Sequence, residues 1–243
     1  MTKKTKMILG IAAAVLIVAV IVYLALQQKK SGGSTETGNG TANEPTEEML
    51  ASQTPEAAQA TQKLIDEATD KQSATRTITV SEPAVAGATS TSVKEIKVVT
   101  VAPGTNPIDV STGKVITEAG KVVNNAAAPA SPEAPQQSFP MKVEEAPKSA
   151  VKLKVTSNSF TPNTFTVNRG QVVNLVVSNV NETTFSEVFR FDEPSLSAVV
   201  LGLAKGETKS ISFNAPSKAG EYAFYSSMFD HRAQGAVGKM IVK

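Results

Sequence analysis

The sequence has no cysteine and no tryptophan, and among its 243 residues there is one histidine, His231. Without thiols the chain has no disulfides, no zinc-thiolate sites and no lipid attachment through cysteine. Aromatic residues are scarce and unevenly placed, with eight of the nine phenylalanines at or beyond Phe160. A large apolar core is therefore expected only in the C-terminal part. Neither sign of charge dominates: the balance is +5 over residues 1–30, −7 over 31–147 and +4 over 148–243. No basic stripe with interleaved aromatics is present, which argues against a nucleic-acid partner. Glycine-rich phosphate loops and dinucleotide fingerprints are also missing, so nucleotide chemistry has no support.

Long uncharged runs are equally rare, and the one that exists lies at the start. Met7 to Leu26 carries no charge, and a helix of that length spans about 30 Å, the thickness of a bilayer core. The run is longer than a signal-peptide core and lacks a small-residue cleavage site at its end, so it reads as an uncleaved anchor. Lys3, Lys4 and Lys6 outweigh Lys29 and Lys30, placing the N-terminus in the cytoplasm and the rest of the chain outside. Residues 1–30 thus form a cytoplasmic tail and a transmembrane helix. Residues 31–74 read as a flexible tether rich in Gly, Ser and Thr. Within it Thr54 to Lys71 has the Thr-Pro-Glu start and the apolar spacing of a short amphipathic helix, with Ala58, Leu64, Ile65 and Ala68 on one side. Residues 75–125 hold valine- and isoleucine-rich runs around the turn Pro103-Gly104-Thr105-Asn106-Pro107 and read as a β-rich stalk. Residues 126–148 carry a proline every few positions and read as an extended spacer.

From residue 149 to the end the pattern changes to strands. Val151, Leu153 and Val155 alternate with lysines and Thr156, Phe165 and Val167 flank Thr166, and Val172 to Val177 is a longer apolar run. Further strands are expected at Glu187 to Phe191, Ser197 to Leu203, Lys209 to Phe213, Glu221 to Ser227 and Val237 to Val242. Many short strands separated by turns in about 95 residues suit a two-sheet Greek-key sandwich. Three phrases then carry a resemblance. The first holds Phe160, Pro162, Phe165, Val167, Gly170 and Val173; the second runs from Gly206 to Pro216; the third holds Gly220, Tyr222, Phe224, His231, Gly238, Met240 and Val242. Together they resemble the cupredoxins, the plastocyanin- and azurin-like copper proteins. The resemblance implies an all-β Greek-key cupredoxin-like sandwich over residues 149–243, preceded by a single transmembrane helix and a long, partly β linker.

In that family the ligands are His, Cys, His and Met. Carried over position by position, they fall on Glu187, Ser226, His231 and Ala236. One of the four is retained. A serine hydroxyl is hard and unionised near neutral pH and cannot replace a copper thiolate, which argues against a blue-copper redox centre. Glu187, Ser226 and His231 remain as degenerate metal positions, with Asp230 and Met228 as neighbouring donors, while Ala236 cannot ligate. Ser226 or Ser227 with Asp230 and His231 has the letters of a catalytic triad, but an acid adjoining the histidine is badly placed to orient its ring, and no nucleophile elbow surrounds the serines. The expectation is a non-enzymatic membrane protein at the cell surface, metal-free and acting as a binding or structural module. Its partners would be the membrane, through the N-terminal helix, and an envelope or surface protein not named by the sequence. The alternative is copper or another divalent metal held by Glu187 and His231 without a thiolate.

Overall fold

The computed structural model describes residues 54–71, 76–81, 93–182 and 186–243. The apolar run Met7 to Leu26 and most of the expected tether lie outside these residues. No helix among the described residues is long and apolar enough to cross a membrane.

Helix α1 (Pro55–Lys71) begins where its sequence signals place it. Thr54 is the N-cap, its Oγ1 accepting the Ala57 N–H at 3.1 Å, and Pro55 occupies the first helical position, where a missing N–H costs nothing. The buried face carries Ala57, Thr61, Leu64, Ile65 and Ala68. Ala58, expected on that face, is exposed, because the face follows the four-residue step from Ala57 to Thr61.

Strands β1 (Arg76–Ser81), β2 (Val93–Val99), β3 (Ile108–Asp109) and β4 (Lys114–Val115) form a small antiparallel sheet in that order. Val99, Val101, Ile108 and Val115 from this region share a core with Leu64 and Ile65 of α1 and with Val172 of the sandwich. The sheet and the helix thus bury their apolar faces against the C-terminal part, which compensates for the scarcity of aromatics in the segment. Lys114 reinforces the joint. It is 5 % exposed and donates from Nζ to the Gly170 carbonyl at 3.1 Å, and burial pushes its ammonium below the usual lysine range.

The segment read as a spacer lies along the outside of the sandwich. Gln137 forms a bridge with Ile211, the Ser138 N–H donates to the Ser210 carbonyl at 2.7 Å, and the Met141 N–H donates to the Thr208 carbonyl at 2.9 Å. A proline-rich chain can satisfy backbone groups in this way wherever its remaining N–H groups meet a sheet edge.

The sandwich follows as β5 (Val151–Thr156), β6 (Ser159–Thr161), β7 (Thr164–Val167), β8 (Val172–Asn179), β9 (Ser186–Phe191), β10 (Val200–Ala204), β11 (Thr208–Asn214), β12 (Gly220–Ser226), the one-turn helix α2 (His231–Gln234) and β13 (Val237–Val242). One sheet has the order β10-β9-β12-β13-β7 and the other β11-β8-β5-β6. Strand β5 runs parallel to β8, and β13 parallel to β7. Between the sheets the core is aromatic around Phe224, whose ring meets those of Phe160, Phe165, Phe189 and Phe191 at centroid distances of 5.1 to 6.1 Å. Gly238 is required by this packing, since a Cβ there would lie 2.4 Å from the Phe224 ring. Strand β8 is buried on both faces, one face in this core and the other beneath α1.

Candidate functional site

Two-residue alternation carries the site to one end of the sandwich. On β9 the buried file is Glu187, Phe189 and Phe191; on β12 it is Tyr222, Phe224 and Ser226. The strands are antiparallel neighbours with Ser226 opposite Phe189, so the first inward residue of one file and the last of the other meet at the same edge of the core. The chain then leaves β12 and turns into α2, which presents His231. Gly235 ends that turn at φ 110°, and a Cβ there would lie 2.9 Å from the Asn158 carbonyl oxygen. Only glycine satisfies both constraints. The Ser226 N–H donates to the Ala236 carbonyl at 3.0 Å and the Ala236 N–H to the His231 carbonyl at 2.9 Å, which closes the loop on itself.

Three of the four positions named from the sequence converge through their side chains. Ser226 Oγ donates to Oε2 of Glu187 at 2.5 Å. His231 Nδ1 faces the same oxygen at 3.0 Å. The other carboxylate oxygen, Oε1, accepts from Asn181 Nδ2 at 3.0 Å. Glu187 and Ser226 are fully buried and His231 is 3 % exposed, so these bonds form in a low-dielectric setting where each donor matters. Ala236 is buried beside them and offers no side-chain donor. Asn181 was not anticipated as a member. Its signal was its place just past β8, at the same end as Glu187, but the chain supplies no periodicity there.

Asp230 and Met228 stand apart from the cluster. Asp230 Oδ1 accepts from Gln234 Nε2 at 2.7 Å on the exposed side of α2, and that bond holds its carboxyl below the usual range. Met228 contributes its backbone N–H, 3.4 Å from Ser226 Oγ. Phe229 has a left-handed backbone at φ 45° and is 83 % exposed, its ring 6.0 Å from that of His231. Arg232 fastens the loop to the sheet by a two-pronged pair with Asp192, at 3.0 and 2.6 Å, and lies 4.3 Å over the Tyr225 ring. The guanidinium's hydrogen bonds hold the Asp192 carboxyl low.

The fold family implies copper here, and the donor set does not fit it. A resident ion needs lone pairs from several donors converging on one point about 2.0–2.3 Å from each. Here the point of convergence is itself a protein atom, Oε2 of Glu187, and both Ser226 and His231 address it. Thiolate and thioether are absent, as Ser226 and Ala236 hold their positions. Among the described residues no group of three or more His, Asp or Glu side chains is gathered so as to hold a metal ion.

The family model of the cupredoxin-like domain matches residues 125–242. No curated protein matches the chain. Among solved structures, auracyanin from the photosynthetic bacterium Roseiflexus castenholzii is 20% identical, with 39% of this chain and 96% of that one covered at a TM-score of 0.34. The metal-binding domain of the Cu(I)-exporting P-type ATPase of Streptococcus pneumoniae is 15% identical over 39% of this chain and 84% of that one, with a TM-score of 0.32. A copper-containing nitrite reductase from Thermus scotoductus is 14% identical over 39% of this chain and 30% of that one, with a TM-score of 0.31. With the strand pattern, the sheet order and the family match in agreement, the chain carries a cupredoxin-like domain over residues 125–242.

Proposed function

We propose that this chain is a membrane-anchored, extracytoplasmic protein whose cupredoxin-like domain works without copper, as a binding or structural module rather than an enzyme. The observation that carries this reading is the carboxylate of Glu187 bonded to Ser226 and, at 3.0 Å, to His231. A glutamate at the first ligand position does for the loop what an ion does elsewhere: it ties β9, β12 and α2 together through a single acceptor. The hydroxyl of Ser226 is committed to that carboxylate, which argues against a nucleophilic role. The anchor and its orientation rest on the uncharged run Met7 to Leu26 and on Lys3, Lys4 and Lys6. The loop tip, with Phe229 exposed and Met228 half-buried, is the surface offered to an envelope or surface protein.

Titration of the full chain in lipid nanodiscs with Cu(II) and with Cu(I), by calorimetry with an absorption spectrum on the same sample, tests the reading. Absence of submicromolar binding is the expected result. Tight binding lost in both Glu187→Ala and His231→Ala would overturn it in favour of a non-thiolate metal site.

A further inference from the structure

Among the described residues the three sheets end in six edge strands, β1, β4, β6, β7, β10 and β11. Unpaired backbone groups along such an edge invite another strand, so edges are normally short, covered or interrupted. The β11 edge is covered by the segment from Gln137 to Met141. On β10 the Gly202 N–H donates to Gln137 Oε1 at 3.2 Å, the Gly202 carbonyl accepts from Lys209 Nζ at 2.9 Å, and the Ala204 N–H donates to Glu207 Oε2 at 2.7 Å. Asn214 closes β4, its Oδ1 accepting from the Val115 N–H at 3.0 Å. Strands β6 and β7 are three and four residues long, with Pro162 between them.

Strand β1 has none of these protections. It is six residues long, holds neither proline nor lysine, and its one charge, Arg76, is paired with Glu118. The register shows which of its residues face the open side. The Val110 N–H donates to the Lys97 carbonyl at 3.0 Å, so Lys97 of β2 turns its backbone groups to β3, and alternation turns those of Ile96 and Val98 to β1. Ile78 and Arg76, opposite them, spend their own groups on β2. The N–H and C=O groups of Thr77, Thr79 and Ser81 therefore lie along the outer edge, where no described residue bonds to them. Thr77 and Thr79 have exposed side chains, whereas Ile78 is buried and Val80 is only partly buried in the small core it shares with Ile78, Ile96 and Ile116.

We propose that β1 pairs with β1 of a second copy of this chain, antiparallel about a two-fold axis at Thr79, joining the two four-stranded sheets edge to edge. The strand fits its own reverse in that register. Thr79 meets Thr79 and Thr77 meets Ser81, residues without charge, while Ile78 meets Val80 of the second copy. The apolar layer of the small core then runs on across the axis, and Val80 gains the cover it lacks. Glu95, beside Thr79 on β2, comes no nearer to its symmetry mate than three strand spacings, about 14 Å, which exceeds the screening length at physiological salt. Neither the Glu187 cluster nor the loop tip takes part, so the pairing stands whether or not the reading above does.

The chain has no cysteine, which makes the register directly readable. In the full chain in detergent micelles, Thr79→Cys should form a covalent dimer under mild oxidation, because directly opposite residues have Cα atoms about 5.5 Å apart, within disulfide reach. Thr77→Cys alone, whose symmetry mate lies roughly 14 Å away, should not, but mixed with Ser81→Cys it should. Sedimentation of the unmodified chain should show a reversible dimer, weakened at least about fivefold by Thr79→Lys, an exposed change that sets two like charges face to face. A monomer at every concentration, no cross-link in Thr79→Cys, cross-linking of Thr77→Cys alone at the same rate, or a dimer indifferent to Thr79→Lys would each overturn the proposal.

Discussion

Two buried polar clusters in this molecule are built to different standards. At the end of the sandwich, Glu187 receives Ser226 and Asn181 and faces His231, and none of the four leaves a buried side-chain atom unmatched. On the outer face of the four-stranded sheet, Asn174 and Ser212 sit directly opposite each other in register. There Asn174 Nδ2 and Ser212 Oγ have no protein partner, as does Asn125 Oδ1. Networks inside a protein repay their desolvation only when complete. The cluster at the end of the sandwich is thus complete in its hydrogen bonds, while the layer between the sheet and its covering segments retains unmet hydrogen-bonding capacity.

Substitutions can break or sharpen this contrast. The largest effect is expected from Glu187→Ala, which strands His231, Ser226 and Asn181 together: a loss of about 3–5 kcal/mol, measured as a shift in the urea midpoint. A change under about 1 kcal/mol would mean that the closed cluster is decorative. Next, a double-mutant cycle on Glu187→Gln and His231→Ala should return a coupling of about 0.5–3 kcal/mol, and a coupling of zero would separate the two residues energetically. In the open cluster the sign reverses. Ser212→Ala removes an orphaned hydroxyl at a fully buried position, and it should be neutral or stabilise by up to about 1 kcal/mol; destabilisation beyond that would show that Ser212 is satisfied in solution. The smallest effect belongs to the exposed pair outside both clusters. Arg232→Ala should cost under about 1 kcal/mol, and less again in high salt, checked by thermal melts at two ionic strengths.

How much of this was legible in the sequence depended on periodicity. Strands such as Val151 to Val155 announce themselves by alternation, and the family resemblance, carried over position by position, singles out Glu187, Ser226 and His231. The convergence of those three follows from strand pairing once the fold is known. What the sequence conceals is the covering layer. The docking of residues 126–148 on β11 runs through backbone groups, as at Gln137 and Ile211, and proline-rich composition reads the same whether the chain is packed or free. Asn174 lies inside an apolar run that signals only a buried strand; that its outer neighbour is a helix more than a hundred residues earlier depends on a tertiary contact, the Val172 N–H donating to Thr61 Oγ1 at 3.1 Å.

The lysine beneath the small sheet gives the joint between that sheet and the sandwich a chemical polarity of its own. Burial lowers the Lys114 pKa from its ordinary 10.5, so between the depressed value and 10.5 the unfolded chain holds more protons than the folded one. Stability therefore rises as pH climbs through that window, and it is at its weakest below the depressed value, where the buried amine must carry its charge. The attachment should tighten under alkaline conditions. Denaturation of the wild type and of Lys114→Met across that range should show the rise in the first and its loss in the second, marking this side chain as the reason the assembly grips harder in base.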